Sequence, residues 1–415
     1  MPELLIRVGL DDTDHPDGGC TTYDLNSLSE LLRSVLPSYK EVERRLVRLW
    51  PYAERRTRGN AALCLLATIE EGDQGALYEA LDSWVPEPGD ADGTSSARPA
   101  IVAGSGDPPM EWYTDAVRSK VDLDDRLEAI SDAGFRVFTK SERPHGAIGA
   151  SAALAWGGSK HTWELVAWRG PAAQGTPRLV DNVMIEEMST RFPGTFANRD
   201  PTTGRCLIAP RTPCPVLYGI RGDSITEITE AHRWLQSSGT NESSPAFAIH
   251  RTNQCSDDHV DGAECGTVVT PPQVVPGGHR HIKVHGRGGS KSLVAFKEGG
   301  PVNDALRALR VGDRIQWVGL TAPDGSTHLE RLMLLDQAPV LEGRPMCCGK
   351  SMKSSGSKGR LRCPTCGRTT RRAWRSSSVR SQGTWHEPLP SNRRHLARPL
   401  RQGEPDKCGL SATMN

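Results

Sequence analysis

The stretch VGLDDTDHPDGGCTTYDLNSL, residues 8–28, decides how the N-terminal part of the chain is read. A hydrophobic run from Leu4 to Leu10 ends in Asp11, Asp12 and Asp14. Two glycines, a cysteine and two threonines follow, and Leu25, Leu28, Leu31, Leu32, Val35 and Leu36 then recur at helical spacing. The pattern predicts a strand, a loop and a helix. Carboxylates at the carboxyl end of a strand supply oxygen ligands to Mg2+, an ion that binds through one or two carboxylates plus substrate phosphates. Gly18 and Gly19 let the backbone approach a phosphate, and the free N–H groups that open the helix favour an anion. The layout is that of a nucleotide-phosphate site, although Asp and Gly together also make ordinary turns.

Outward from this stretch, Leu63 to Ile69 reads as a buried strand, and Leu123 to Ile130 as a helix before a strand at Phe135 to Phe138. Residues 86–109 are rich in Pro, Gly, Asp and Ser and read as an exposed insertion or mobile loop. In the middle third, Trp163 to Trp168 and Pro215 to Ile220 read as strands and Ile185 to Ser189 and Ile228 to Leu235 as helices, the mixture of an α+β domain. Beyond it, GGHRHIKVHGRGG alternates, with His279, His281, Lys283 and His285 on one face and Ile282 and Val284 on the other. With GDRIQWVGL and HLERLMLLD after it, this predicts the short strands of a small barrel. Lys283 among the histidines argues for a surface facing solvent or RNA rather than a metal. GRGGSKS, Gly286 to Ser292, fails as a phosphate loop because Ser290 stands where a glycine is needed and strands surround it.

At 415 residues, two to four compact units are expected. No apolar run is long enough to cross a bilayer, so the expectation is a cytoplasmic protein without a membrane partner. The 11 cysteines are an odd number, and Cys347, Cys348, Cys363 and Cys366 crowd together near the end, which fits metal ligation in a reducing compartment better than a disulfide scaffold. Cys363-Pro-Thr-Cys366-Gly is a knuckle, and with the adjacent pair upstream it offers four thiolates to a structural Zn2+ in a zinc ribbon. Two inert thiols beside an unrelated knuckle are the alternative. Charge is split: from Gly343 onward there are 16 Lys and Arg against three acids, while the body before it is acidic. A basic end on an acidic body suits a protein that holds a polyanion there. Arg371, Arg372, Trp374, Trp385, Arg393 and Arg394 in this part, with His281 and Lys283 on the barrel, are suited to phosphate contacts and base stacking on RNA.

The blocks GLDDTD, GGCTTY, RTRGNAA (56–62), RPHGAIGASAAL, PVLYGIRG, RTNQCSDDH (251–259), the cysteine cluster and EPLPSNRRHLARPL resemble, in order, those of the archaeal tRNA-Ile agmatidine synthetases, the TiaS family. The resemblance covers nearly the whole chain. It implies a multidomain α+β protein: a kinase-like ATP-binding domain over 1–160, with an insertion at 86–109, a ferredoxin-like domain over 161–264, an OB-fold over 265–342, and a zinc ribbon with basic tail over 343–415. The implied reaction joins agmatine, with consumption of ATP, to C2 of the wobble cytidine in the CAU-anticodon isoleucine tRNA, and changes its decoding from AUG to AUA. Asp11, Asp12 and Asp14 would hold Mg2+ and the phosphates. Thr21 matches the threonine that the family autophosphorylates. Thr13, Gly18, Gly19, Cys20, Thr22, Arg58, Gly59 and Asn60 would line the nucleotide, and Asn198 and Asp200 in TFANRD would face agmatine. The chain departs from the family at His15, usually Ser, at Gly19, usually Met, and in its contracted first cysteine pair. A nonenzymatic tRNA or single-strand binder would share the C-terminal modules but has no need of the N-terminal blocks. A lysidine-type ligase would need an SGGxDS-like loop, which is absent.

Overall fold

The computed structural model describes residues 2–14, 19–54, 59–89, 96–356, 359–376 and 382–406. They form two compact units, Met1–Asp261 with Leu389–Gly403, and Gly262–Pro388 with Glu404–Asn415. The architecture is mixed α+β and multidomain.

In the first unit the opening motif is strand β1 (Glu3–Asp11) leading to helix α1 (Thr21–Val35), followed by β2 (Lys40–Arg48), β3 (Ala61–Glu70) and α2 (Gln74–Trp84). Leu25, Leu28 and Leu32 of α1 are buried, as the helical spacing predicts. Next come β4 (Ala100–Gly104), α3 (Glu111–Arg118), α4 (Leu123–Asp132), β5 (Arg136–Phe138) and α5 (Gly146–Ala155). The last third adds β6 (Thr162–Trp168), α6 (Asn182–Arg191), β7 (Thr195–Phe196), β8 (Val216–Gly222), α7 (Ile225–Ser237) and β9 (Ala246–Thr252). All nine strands make one sheet in the order β5-β4-β1-β3-β2-β9-β6-β8-β7. Its two halves are joined by a short parallel pairing, Arg45 with Arg251 and Leu46 with Thr252. The apolar faces of α1 and α2 fill one side of the first half. On the other side lie α3 and α5, while α6 and α7 cover the second half.

Helix α5 is built almost wholly from Gly, Ala, Ser and Leu, and nine of its ten residues are buried. Small residues let a helix lie close on a sheet. At Gly149 a Cβ would overlap the Asp11 Oδ2 atom, so only glycine leaves room for that carboxyl at the end of β1.

The reading of residues 86–109 as an insertion needs correction. Ala100–Gly104 is a fully buried strand, β4, paired on one side with β1 and on the other with β5. Five small apolar residues suffice for a central strand buried on both faces, and the Pro, Gly and Asp that flank them carry the composition of a loop. Residues 90–95 lie outside the described part. A second feature concerns the C-terminal segment. Leu389–Gly403, after the basic stretch, packs as a strap within the first unit. Its backbone is fixed by Cys255 N–H donating to His395 O at 2.9 Å, Asp257 N–H to Leu396 O at 2.9 Å, and Arg398 N–H to Asp257 Oδ1 at 2.7 Å.

The second unit holds β10 (Glu264–Val268), β11 (Gln273–Val274), β12 (Arg280–Gly286), β13 (Gly289–Ala295), α8 (Pro301–Arg307), β14 (Arg314–Thr321) and β15 (Thr327–Asp336). Strand β10 pairs with both β12 and β14, and β13 runs parallel to β15, so five strands close into a barrel in the order β10-β12-β13-β15-β14. Ile282 and Val284 are buried inside while Lys283 and His285 are exposed, the alternation expected of β12. After the barrel come short hairpins, among them Met346–Cys347 with Lys350–Ser351 and the three strands Lys353–Ser355, Arg360–Arg362 and Thr369–Arg371.

Candidate functional site

At the carboxyl end of β1 the chain turns sharply at Asp12, whose φ of 60° is left-handed. The turn is held by Arg98 N–H donating to Asp12 Oδ2 at 3.0 Å. Thr13 Oγ1 donates to Asp24 Oδ2 at 2.6 Å, tying the loop to α1. Asp14 reaches the first turn of α1: its Oδ1 accepts from Thr21 N–H at 2.9 Å and from the Thr21 hydroxyl at 3.1 Å. The cap position itself, Cys20, makes no capping bond; its sulfur lies 3.0 Å from Thr22 Oγ1, which also accepts from Trp168 Nε1 at 3.3 Å.

Asp14, Cys20, Thr21, Thr22 and Gly59 line a cavity of about 370 Å³ in the first unit. Asp11, Asp12 and Thr13 are not in its wall. Burial first, then the neighbouring Asp12 charge, pushes the Asp11 carboxyl well above the usual carboxylate range. Burial likewise pushes Asp24 up to about 6. Of the three loop carboxylates, Asp14 is therefore the one that lines the cavity. Asn60 is tied into its turn by Nδ2 donating to Trp50 O at 2.6 Å, and Gly19 lies outside the wall. Gly18 and Arg58 lie outside the described residues.

The same lining includes residues that the sequence did not single out. Arg48, at the end of β2, donates through Nη2 to Glu164 Oε2 at 3.0 Å and through Nη1 to Gly59 O at 3.1 Å. A Cβ on Gly59 would overlap that guanidinium, so the glycine of the RGN block makes room for Arg48. Arg221 Nε faces Glu164 Oε1 at 3.2 Å, and Gln254 Nε2 donates to Glu164 Oε2 at 2.6 Å. Burial alone would raise the Glu164 carboxyl, but Arg221, Arg48 and His395 outweigh it and pull it down to about 2. Since a carboxylate only accepts, the Gln254 amide must turn its NH2 to Glu164. Its Oε1, 3.1 Å from His395 Nδ1, then accepts a hydrogen bond from that ring N–H. Arg221 and Gln254 stand in the quoted blocks PVLYGIRG and RTNQCSDDH, a signal that the sequence offered.

The strap brings Arg393 and Arg394 to the same cavity. Arg394 donates to Tyr52 OH at 2.8 Å and lies 5.2 Å from the centre of its ring. Asn198 and Asp200 stand outside the lining. Asn198 Nδ2 donates to Thr195 Oγ1 at 2.7 Å, and Asp200 Oδ1 accepts from Thr202 N–H at 2.9 Å and Thr202 Oγ1 at 2.7 Å. Hydrogen bonds from Ser391 and Thr202 hold the Asp200 carboxyl below its ordinary range.

In the second unit the four sulfurs of Cys347, Cys348, Cys363 and Cys366 lie within 4.8 Å of one another. Cys347 and Cys366 are 3.7 Å apart, close to the roughly 3.8 Å edge of a tetrahedron with 2.3 Å metal–sulfur bonds. Cys348 reaches the cluster from a left-handed backbone, φ 50°, which is how an adjacent pair points both sulfurs inward. The backbone N–H of Cys366, followed by that of Thr365, brings the Cys363 thiol down to about 6. Lys283, Arg371, Arg372 and Trp374 are exposed and His281 is half-buried. Trp385 is 7% exposed and pairs with Met333 of β15, so the structure packs this ring into protein instead of offering it to a base.

Two buried histidines set the acid limit of the first unit. Burial brings His250 and His232 down to about 4 from 6.5. Both stay neutral in the fold but gain a proton when unfolded below pH 6.5, so stability falls as pH drops from 6.5 to 4, by about 3 kcal/mol for each residue. Urea unfolding at pH 7, 5.5 and 4.5 reads this. The midpoint is expected to fall steadily.

The domain model described as TiaS TCKD matches residues 7–142, and that described as TiaS FLD matches 144–259. The chain is 33% identical to the isoleucine-tRNA 2-agmatinylcytidine synthetase TiaS of Methanopyrus kandleri, over 94% of this chain and 96% of that one. Among solved structures it resembles the complex of TiaS with its isoleucine tRNA and ATP, with TM-score 0.80, 26% identity and coverage of 97% of this chain and 98% of the other. It also resembles the complex of TiaS with the same tRNA, AMPCPP and agmatine, with TM-score 0.79, 26% identity and coverage of 96% and 97%. Two domain models over consecutive parts of the chain and full-length similarity agree with the order of the sequence blocks, and the chain belongs to the TiaS family of isoleucine-tRNA 2-agmatinylcytidine synthetases.

Proposed function

We propose that the chain is an ATP-dependent ligase that joins agmatine to C2 of the wobble cytidine in the CAU-anticodon isoleucine tRNA, and so shifts decoding from AUG to AUA. The observation that carries this reading is the Thr21 hydroxyl bonded to Asp14 Oδ1 at the head of α1, in a cavity whose lining is rich in arginine. The C2 oxygen of cytosine is a poor leaving group and needs activation by ATP before an amine displaces it. Asp14 is placed to orient the Thr21 hydroxyl and to take its proton as a phosphoryl group arrives. Its Oδ2 makes no hydrogen bond among the described residues and suits Mg2+, which when bound would neutralise phosphate charge. Relatives have been solved with the isoleucine tRNA, ATP and agmatine, which supports the same three substrates here.

For the second unit we read the barrel, with α8 between its third and fourth strands and parallel closure of the third on the fifth, as an OB-fold. The four cysteines fit a structural Zn2+, and the exposed Arg371, Arg372 and Trp374 suit tRNA. No helix among the described residues is long and apolar enough to cross a membrane.

Metal removal tests the ribbon. Chelation is expected to unfold the hairpins around the cysteines and weaken tRNA binding about tenfold or more, with ATP turnover in the absence of tRNA preserved. Filter binding and circular dichroism before and after chelation check it. Labelled agmatine incorporated into CAU-anticodon tRNA, with ATP and Mg2+, tests the function itself. A nonenzymatic binder would hold the tRNA and incorporate nothing.

A further inference from the structure

The cavity that Thr21 lines carries a charge imbalance beyond the Asp14–Thr21 pair. Arg48 and Arg221 share one carboxylate, Glu164, and the three side chains are 10%, 13% and 4% exposed. Two guanidiniums on one carboxylate leave a buried positive charge that Glu164 alone does not balance, with Asp14 the other acid acting on Arg48. Buried charges are costly unless paired. Gln254 is neutral, and Arg205, Arg211, Arg393 and Arg394 in the same lining add to the excess, against Asp14 as the other acid among the described lining residues. Arg48 Nε is buried and has no hydrogen-bond partner. A guanidinium held on its inner edge by Glu164 and Gly59 O, with a donor unspent, is ready for an incoming acceptor.

We propose that Arg48 and Arg221 form a phosphate subsite, preset by Glu164, that binds a phosphate group in the same cavity as the Thr21 hydroxyl. The inference rests on the reading of this cavity as the reaction site and names cations outside the N-terminal loop motif. Glu164 keeps the two forks side by side before the ligand arrives, so little side-chain freedom is lost on binding. The same chemistry could come from the triphosphate of ATP or from a backbone phosphate beside the wobble nucleotide.

The experiment measures the dissociation constants of ATP alone and of the CAU-anticodon tRNA alone with the full chain, for the wild type, Arg48→Met and Arg48→Lys. Arg48→Met leaves Glu164 paired one-to-one with Arg221, so the fold is expected to hold, and a thermal melt checks it; Arg221→Lys takes its place if it does not. Arg48→Met is expected to weaken ATP binding roughly 10- to 100-fold, the worth of a charge-assisted hydrogen bond, with lysine recovering part. A loss confined to tRNA would support the subsite and assign it to the backbone phosphate. Unchanged affinity for both ligands overturns it. Agmatine incorporation by the wild type is scored separately: its failure alongside Arg48-dependent ATP binding would count against the function and not against the subsite.

Discussion

Thr21→Ala is expected to lower agmatine incorporation roughly a thousandfold or more, while tRNA affinity stays within about twofold of the wild type. The substitution removes the hydroxyl that bonds Asp14 Oδ1, but Thr21 N–H, 2.9 Å from the same oxygen, still anchors the start of α1. Stability should change by about 1 kcal/mol, the net worth of one hydrogen bond. Thr21→Ser keeps the hydroxyl and should retain much of the activity. Asp14→Asn keeps an acceptor at Oδ1 but loses the charge that takes a proton, and should fail nearly as badly as alanine at 21. Initial rates of label transfer for the three variants, with melting curves beside them, check the set. Wild-type rates in Thr21→Ala would remove Thr21 from the chemistry.

Glu164→Gln should be the most damaging change to the fold of the first unit. The amide takes away the carboxylate that Arg48 and Arg221 share, leaving Asp14 as the acid that acts on Arg48, and breaking a buried ion pair in this way costs about 3–5 kcal/mol. For a unit of this size that is a drop of roughly 6–20 °C in melting temperature. Combining it with Arg48→Met removes one of the two cations and should recover part of the loss. The carboxyl also leaves a signature in acid. With its folded pKa at about 2 against 4.5 ordinarily, its stabilisation is complete above pH 4.5 and lost as pH falls through 2. This window lies below that of the two histidines, so Glu164→Gln should flatten the lower part of the pH–stability curve and leave the upper part intact.

The sequence carried the local elements well because their signals are short-range. The leucines of α1 and the alternation on β12 are periodic, and each element buries most of the face that its period marks, with Val35 at the end of α1 left exposed. Strand β4 was hidden because five small apolar residues have no period to show and their neighbours dominate the composition. The candidate site was half legible. Asp14, Cys20, Thr21 and Thr22 are close in sequence and line the same cavity. Arg48, Glu164, Arg221 and Gln254 come from β2, β6, β8 and the loop after β9, and only the order of strands in the shared sheet brings them together. The strap is the extreme case. Arg393 and Arg394 read as part of a basic RNA-binding tail, because nothing in local composition says that residues beyond the cysteine cluster return to the N-terminal unit.

One measurement bears most directly on the whole account: transfer of labelled agmatine to the CAU-anticodon isoleucine tRNA by the full chain with ATP and Mg2+, run beside Thr21→Ala and beside a tRNA with another base at the wobble position. Label in the wild-type reaction with the cytidine tRNA, and in neither control, is the predicted result. Tight tRNA binding with no label, or equal label from Thr21→Ala, would contradict it.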